Sequence, residues 1–188
     1  MVEKTGISTE EASGVIAFWF QELKPEQWFK KDNSVDKLIA VRYAKIHTAA
    51  TRGELWHWRA TPLGRLAEVI VLDQFSRNIF RDNEKAFSND VLALALSQEA
   101  ISLAADKTLP IEQRAFMYMP FMHSESLHIH DIAMQLFATE GLEAQLKFEK
   151  QHRDIICKFG RYPHRNTILG RESTPAEKAF LNQPGSAF

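Results

Sequence analysis

Apolar positions recur along the chain at spacings of three and four, strand-type alternation is nowhere sustained, and most apolar runs open on a helix-capping signal. Ser8-Thr9-Glu10-Glu11 has the form of a capping box and predicts a first helix over residues 9–22, with Phe18, Trp19 and Phe20 near its end and Pro25 beyond it. A second helix starts near Ser34, places Leu38, Ile39, Ile46 and Ala49 on one face and stops at Gly53. Trp56 and Trp58 fall in the connection that follows. Thr61-Pro62 caps and opens a third helix, and four consecutive apolar residues over 69–72 cover nearly its whole circumference, so this helix belongs at the centre of the fold. Ser88-Asn89-Asp90 opens the next, running through Leu103. Leu109-Pro110 opens a shorter helix that Pro120 breaks or kinks. Helices over 124–140 and 142–159 follow, with Gly160 in a left-handed cap, and Thr174-Pro175-Ala176-Glu177 starts a last short one.

The pattern is that of an all-α protein, one domain over residues 1–188, made of seven to nine antiparallel helices joined by short loops. At 188 residues, 45% hydrophobic, the chain is long enough to bury a substantial core. A net charge of -1 and a pI near 6.7 leave no global basic field, so nucleic acid is not an expected partner and any phosphate recognition must be local. No run approaches the roughly 18 apolar residues of a membrane span, and the six-residue apolar run 15–20 follows acidic rather than basic residues, unlike a secretory signal. The expectation is a soluble, cytoplasmic protein without membrane contact. Its one cysteine, Cys157, follows two isoleucines and is expected in an apolar seam. Composition sets no oligomeric state.

Candidate chemistry lies where polar residues interrupt these helices. In the central helix Asp73 stands one turn before Arg77, and Arg81 follows. These residues either form a structural network, with Arg77 and Asn78 bonding the carbonyls at the helix end, or place Arg77 or Arg81 in a ligand pocket. At 120–125, His123 suits a general base and Glu125 its orienting partner or an acid, with a cap led by Ser124 as the alternative. Residues 158–171 hold Lys158, Arg161, Arg165, Arg171 and His164 with no acid, around a turn held by Gly160 and Pro163. They could capture an anion, or cap helix ends with Asp73 and Glu125 as internal acceptors. Two E-x-x-H spacings, Glu125/His128 and Glu149/His152, invite a metal reading, but they fall on consecutive helices rather than alternating ones as in di-iron bundles. Neither a metal centre nor a cofactor is expected.

The segments 72–81, 120–125, 159–166 and 169–174, with the early Phe18-Trp19-Phe20, together resemble a family catalogued as domain of unknown function 924, along nearly the whole chain. The resemblance implies an all-helical fold similar to tetratricopeptide-like helical-hairpin arrays, and implies no activity, cofactor or substrate. The chain departs from the family pattern at Ser76, at Tyr162 and at 126–131, where His128 and His130 are peculiar to it. His152 fits the pattern. The implied polar centre comprises Asp73, Arg77, His123, Glu125, His152, Arg161, His164 and Arg165. The expected function is binding of a small anionic metabolite, phosphorylated for instance, in a pocket between helices. Arg77, Arg161 and Arg165, with Asp73 and His152, contact the ligand; His123, Glu125 and His164 are the acid-base candidates. The competing expectation is a module for a peptide or protein partner, in which the polar motifs only lock the fold.

Overall fold

Capping chemistry sets most helix boundaries. In the computed structural model, which describes residues 7–186, Ser8 and Glu11 form the expected capping box ahead of α1 (Thr9–Ala17), and the helix widens into a π-helical turn over Phe18–Glu22. α2 (Pro25–Trp28) follows at once, and Asp32 caps α3 (Asn33–Thr51) by accepting from the amides of Ser34 and Val35. A 3-10 turn (Trp56–Ala60) leads to α4 (Pro62–Ile70), where Thr61 accepts from the Gly64 amide. The chain then passes without a break through a second π-helical turn, Val71–Phe75, into α5 (Ser76–Ile79). Short 3-10 turns flank α6 (Asp90–Ser102) at Glu84–Ala86 and Ala105–Thr108.

α7 (Ile111–Met122) carries Pro120 inside it and continues to Met122, so of the expected break or kink the break is excluded. α8 (Leu127–Phe137) is shorter than 124–140 because Ser126, with extended backbone, is the N-cap, while the Ser124 hydroxyl accepts from the Ser126 amide. α9 (Glu143–Phe159) ends on Gly160 at φ +67°, a conformation costly for a residue with a Cβ. After a 3-10 turn at Pro163–Arg165, α10 (Pro175–Leu181) begins with the Thr174/Glu177 capping box.

This is an all-helical single domain, with no strand among the described residues. α4 is central, packing on α1, α6 and α7, while α8 packs between α7 and α9. Every residue from Leu66 to Ser76 is buried. Phe18 and Trp19, on the first π turn, meet Phe75, at the end of the second, with ring centroids 6.1 and 5.7 Å apart, and Tyr43 joins them at 4.9 Å from Phe75. A smaller cluster of Ile155, Ile156 and Tyr162, backed by Phe159 and Phe180, seats the C-terminal segment. Cys157 is not in that seam: Ile155 and Ile156 turn inward and the next position of the helix is exposed.

The first turn of α4 lies tight against the preceding 3-10 turn, and a Cβ on Gly64 would sit 2.0 Å from the Trp58 carbonyl oxygen. Gly64→Ala should therefore lose roughly 1–3 kcal/mol of stability. Gly14→Ala, in α1 with nothing within 4 Å of its Cβ, should gain about 0.5–1 kcal/mol. Urea unfolding midpoints of the two variants check both signs.

A buried ionic cluster at the mouth of a cleft

The π turn of the central helix carries Asp73 into the interior, where it is 1% exposed. His123 Nδ1 donates to its Oδ1 at 2.7 Å, Gln74 Nε2 donates to Oδ2 at 2.6 Å, and Arg77 Nη1 lies 3.1 Å from Oδ1. Burial acts to raise the Asp73 pKa, but Arg77, His123 and Gln74 together outweigh it and hold the carboxyl well below the ordinary range. Arg77 extends the cluster with a two-pronged bond to Asp90 at the start of α6, 2.9 and 3.0 Å, while Nη1 also donates to the Asp73 carbonyl.

Arg165 reaches the same place from the other end of the chain. Pro163 opens the 3-10 turn that aims it, and its guanidinium lies between the rings of Phe87 and Tyr162, 4.6 Å from each centroid. It is only 6% exposed, yet it is poorly matched with acceptors. Nη1 makes a 3.3 Å bond to the Asp90 oxygen that Arg77 already holds, and Nε is buried with no acceptor among the described residues. Arg59, Arg81, Arg161 and Arg171 each grip one carboxylate with two nitrogens. A guanidinium has five N–H donors and cannot discharge, so Arg165 is left with surplus donor capacity in a dry place.

These groups border a cleft of about 460 Å³. Its lining includes the polar Asp90, His123, Ser124, Glu125 and Arg165 and the apolar Phe87, Val91, Leu94, Pro120 and Leu169. With Nδ1 given to an ionised Asp73, the neutral His123 carries its lone pair on Nε2, which bonds no described residue. Burial, then Arg77, pushes the His123 pKa below its usual value, against the pull of Asp73. Chemically the arrangement offers an oriented proton acceptor and an unsatisfied cation opening on one cavity.

The other residues singled out from sequence have different places. Arg161 is not at the cleft: Nε and Nη2 bond Glu177 at 2.6 and 2.9 Å, tying α10 to the turn after α9. Glu125 lines the cleft, but its carboxylate accepts from Arg171 at 2.7 and 2.9 Å and from the Tyr162 amide at 2.8 Å. His164 and His152 set their rings 5.5 and 5.7 Å from the Tyr162 ring, and neither lines the cleft. Arg81 and Asn78 both bond Asp36, across the fold on α3. Sequence reasoning missed Asp90, because an acid in the first turn of a helix reads as a favourable partner of the helix dipole and nothing local marks its second role. It also missed the buried pair of His130 Nδ1 and Glu149 Oε1, 2.6 Å apart beneath Tyr162.

Among the described residues no group of three or more His, Cys, Asp or Glu could hold a metal ion, and none of the helices is long and apolar enough to cross a membrane. Of the E-x-x-H residues, Glu125 binds Arg171, Glu149 faces His130, His152 Nδ1 donates to the Phe148 carbonyl and His128 is exposed.

Fold and site thus define an all-helical single-domain protein in which buried acids and arginines, joined in salt bridges, converge at a cleft. The chain belongs to the family described as "Bacterial protein of unknown function (DUF924)", whose model matches residues 15–185. A solved structure from Agrobacterium tumefaciens, titled "Structure of Protein of Unknown Function ATU0120", superposes with a TM-score of 0.89 at 36% identity, covering 94% of this chain and 99% of that one. No curated protein matches the chain.

Burial makes this neighbourhood sensitive to acid. It lowers the pKa of His123, of His164 to about 4 and of His152 to about 3. Below pH 6.5 the unfolded chain therefore binds protons that the folded protein refuses. Stability should be full above that pH and fall by up to ~1.4 kcal/mol per pH unit for each histidine until its folded-state pKa is reached. Urea midpoints measured from pH 7.5 to pH 4.5 should show this decline, shallower in His164→Gln.

Proposed function

We propose that the cleft binds a small anionic metabolite through Arg165, with His123 as the group that accepts a proton from it or returns one. The observation that carries this reading is the mismatch at Arg165: a buried guanidinium on the cleft wall with one long hydrogen bond, to an oxygen already taken by Arg77. A ligand carboxylate or phosphate supplies the acceptors that the protein withholds. Asp73 fixes the His123 tautomer, and Arg77 positions both acids rather than contacting the ligand. A proton-transfer role needs neutral His123, so any turnover should fall as pH drops through its lowered pKa. Near-neutral net charge and a single cysteine fit a cytoplasmic protein handling such a metabolite.

The second reading is a helical-hairpin, tetratricopeptide-like module for a peptide or protein partner, its polar motifs serving as locks. The Arg161–Glu177 and Arg171–Glu125 forks favour it for the C-terminal segment, since both tie backbone elements together. Neither fork explains Arg165.

A thermal-shift series with inorganic phosphate, acetate, citrate and glycerol phosphate separates the readings. Stabilisation by at least one anion is expected, amounting to about 2.7 kcal/mol at a hundredfold excess over Kd. Arg165→Met should abolish it, whereas Arg161→Ala should lower the melting temperature and leave the shift intact. Shifts that persist in Arg165→Met, or that vanish in Arg161→Ala, place the anion elsewhere.

A further inference from the structure

We propose that the anion held at Arg165 is a monocarboxylate bearing a short apolar body, such as a fatty or aryl-substituted acid, and that phosphorylated metabolites are poor ligands. This rests on the anion reading above and narrows it. Two features of the cleft carry it.

The first is charge. Around Arg165 the cleft presents Asp90 and Glu125, each already held by another arginine, Arg77 and Arg171. The other cation in the lining is Lys85, which is exposed at the rim beside the equally exposed Glu84. One underused positive charge therefore stands between two carboxylates. A monoanion is compensated by Arg165, whereas a phosphate dianion brings a second charge into a partly dry site with acids on both sides. Donor geometry agrees. Nη1 is spent on Asp90, Nε has no acceptor, and Nη2 bonds no described residue. Nε is closed off as well as unpaired, which leaves Nη2 as the donor for a single carboxylate oxygen.

The second is the apolar part of the lining. Val91 and Leu94 lie one turn apart on α6, and with Phe87, Pro120 and Leu169 they line the remainder of the 460 Å³. Val91 is 80% exposed, an apolar side chain open to solvent in the same lining as a buried arginine. A hydrophilic ligand such as a sugar phosphate would lose water against these side chains and find no hydrogen bonds in return. An alkyl or aryl group covers them, and a cavity of this size accommodates such a body along with the carboxylate.

The test is calorimetric titration of the full chain with acetate, butanoate, hexanoate, phenylacetate, inorganic phosphate and glycerol phosphate, with hexylamine as the cationic control. Affinity should climb from acetate to hexanoate by about threefold to fourfold per methylene. Both phosphates should bind at least about tenfold more weakly than hexanoate, and hexylamine not at all. Arg165→Met should weaken hexanoate at least about tenfold, a loss expected for a charge-assisted pair. Leu94→Asn should weaken hexanoate and leave acetate unchanged. Should Arg165→Met fail to fold by circular dichroism, the chain-length series on the native protein and on Leu94→Asn decides. An affinity that does not rise with chain length, or glycerol phosphate binding more tightly than hexanoate through Arg165, overturns this inference and leaves the anion site standing. Binding of no anion, or of carboxylates and phosphates alike without regard to Arg165, removes the anion site and this inference with it.

Discussion

The two-pronged bond from Arg77 to Asp90, made while Arg77 also lies against Asp73, is the interaction on which the centre of this protein depends. It joins α5, at the end of the central helix, to α6, and it places two acids within reach of one guanidinium. A partly shielded pair of this kind contributes little net stability when formed, because both partners lose water, and losing one partner strands the other at a cost below the ~3–5 kcal/mol of a fully buried pair. The consequence is specificity. The central helix has one rotational setting that satisfies Asp73, Arg77 and Asp90 together, and that setting aims Asp73 at His123, the C-cap of α7.

Elsewhere the protein closes its charges neatly. Arg59 with Glu68, Arg81 with Asp36, Arg161 with Glu177 and Arg171 with Glu125 each match one planar fork to one carboxylate. Most of these forks bridge residues distant in sequence and hold connecting segments onto the core. Against that background Arg165 stands out for what its neighbours do not give it. Its two ring neighbours offer cation–π attraction across the guanidinium faces, and its in-plane donors remain largely unspent. The same desolvation that makes this expensive keeps the nearby histidines neutral, so the low dielectric that stores donor capacity at Arg165 also keeps a lone pair on His123.

Helix positions and the identity of the central helix followed from the chain itself. Thr61-Pro62 and Thr174-Pro175 mark starts because capping is a contact within four residues, and the apolar run 69–72 marks burial because no solvent-facing side remains. Asp73, His123 and Arg165 were each legible as candidates, since each is a polar group on an otherwise apolar or sharply turning segment, while their grouping into one polar centre came from the family resemblance. The partnerships were not. Arg161 and Arg165 stand four residues apart in one turn with the same side chain, yet one closes on Glu177 and the other opens on a cleft.

That difference has a physical origin. Local sequence determines backbone torsions, caps and amphipathic faces, since these depend on neighbours a few bonds away. Pairing among charges depends on which acids other helices deliver, and Asp90, 75 residues before Arg165 in the chain, reaches it only in the assembled fold. By itself, then, the sequence determined an all-helical chain with a buried, charge-bearing central helix and a rigid cationic turn. The tertiary structure alone decided which cation of that turn was left with donors to spare, because desolvation and acceptor supply are properties of the assembled interior.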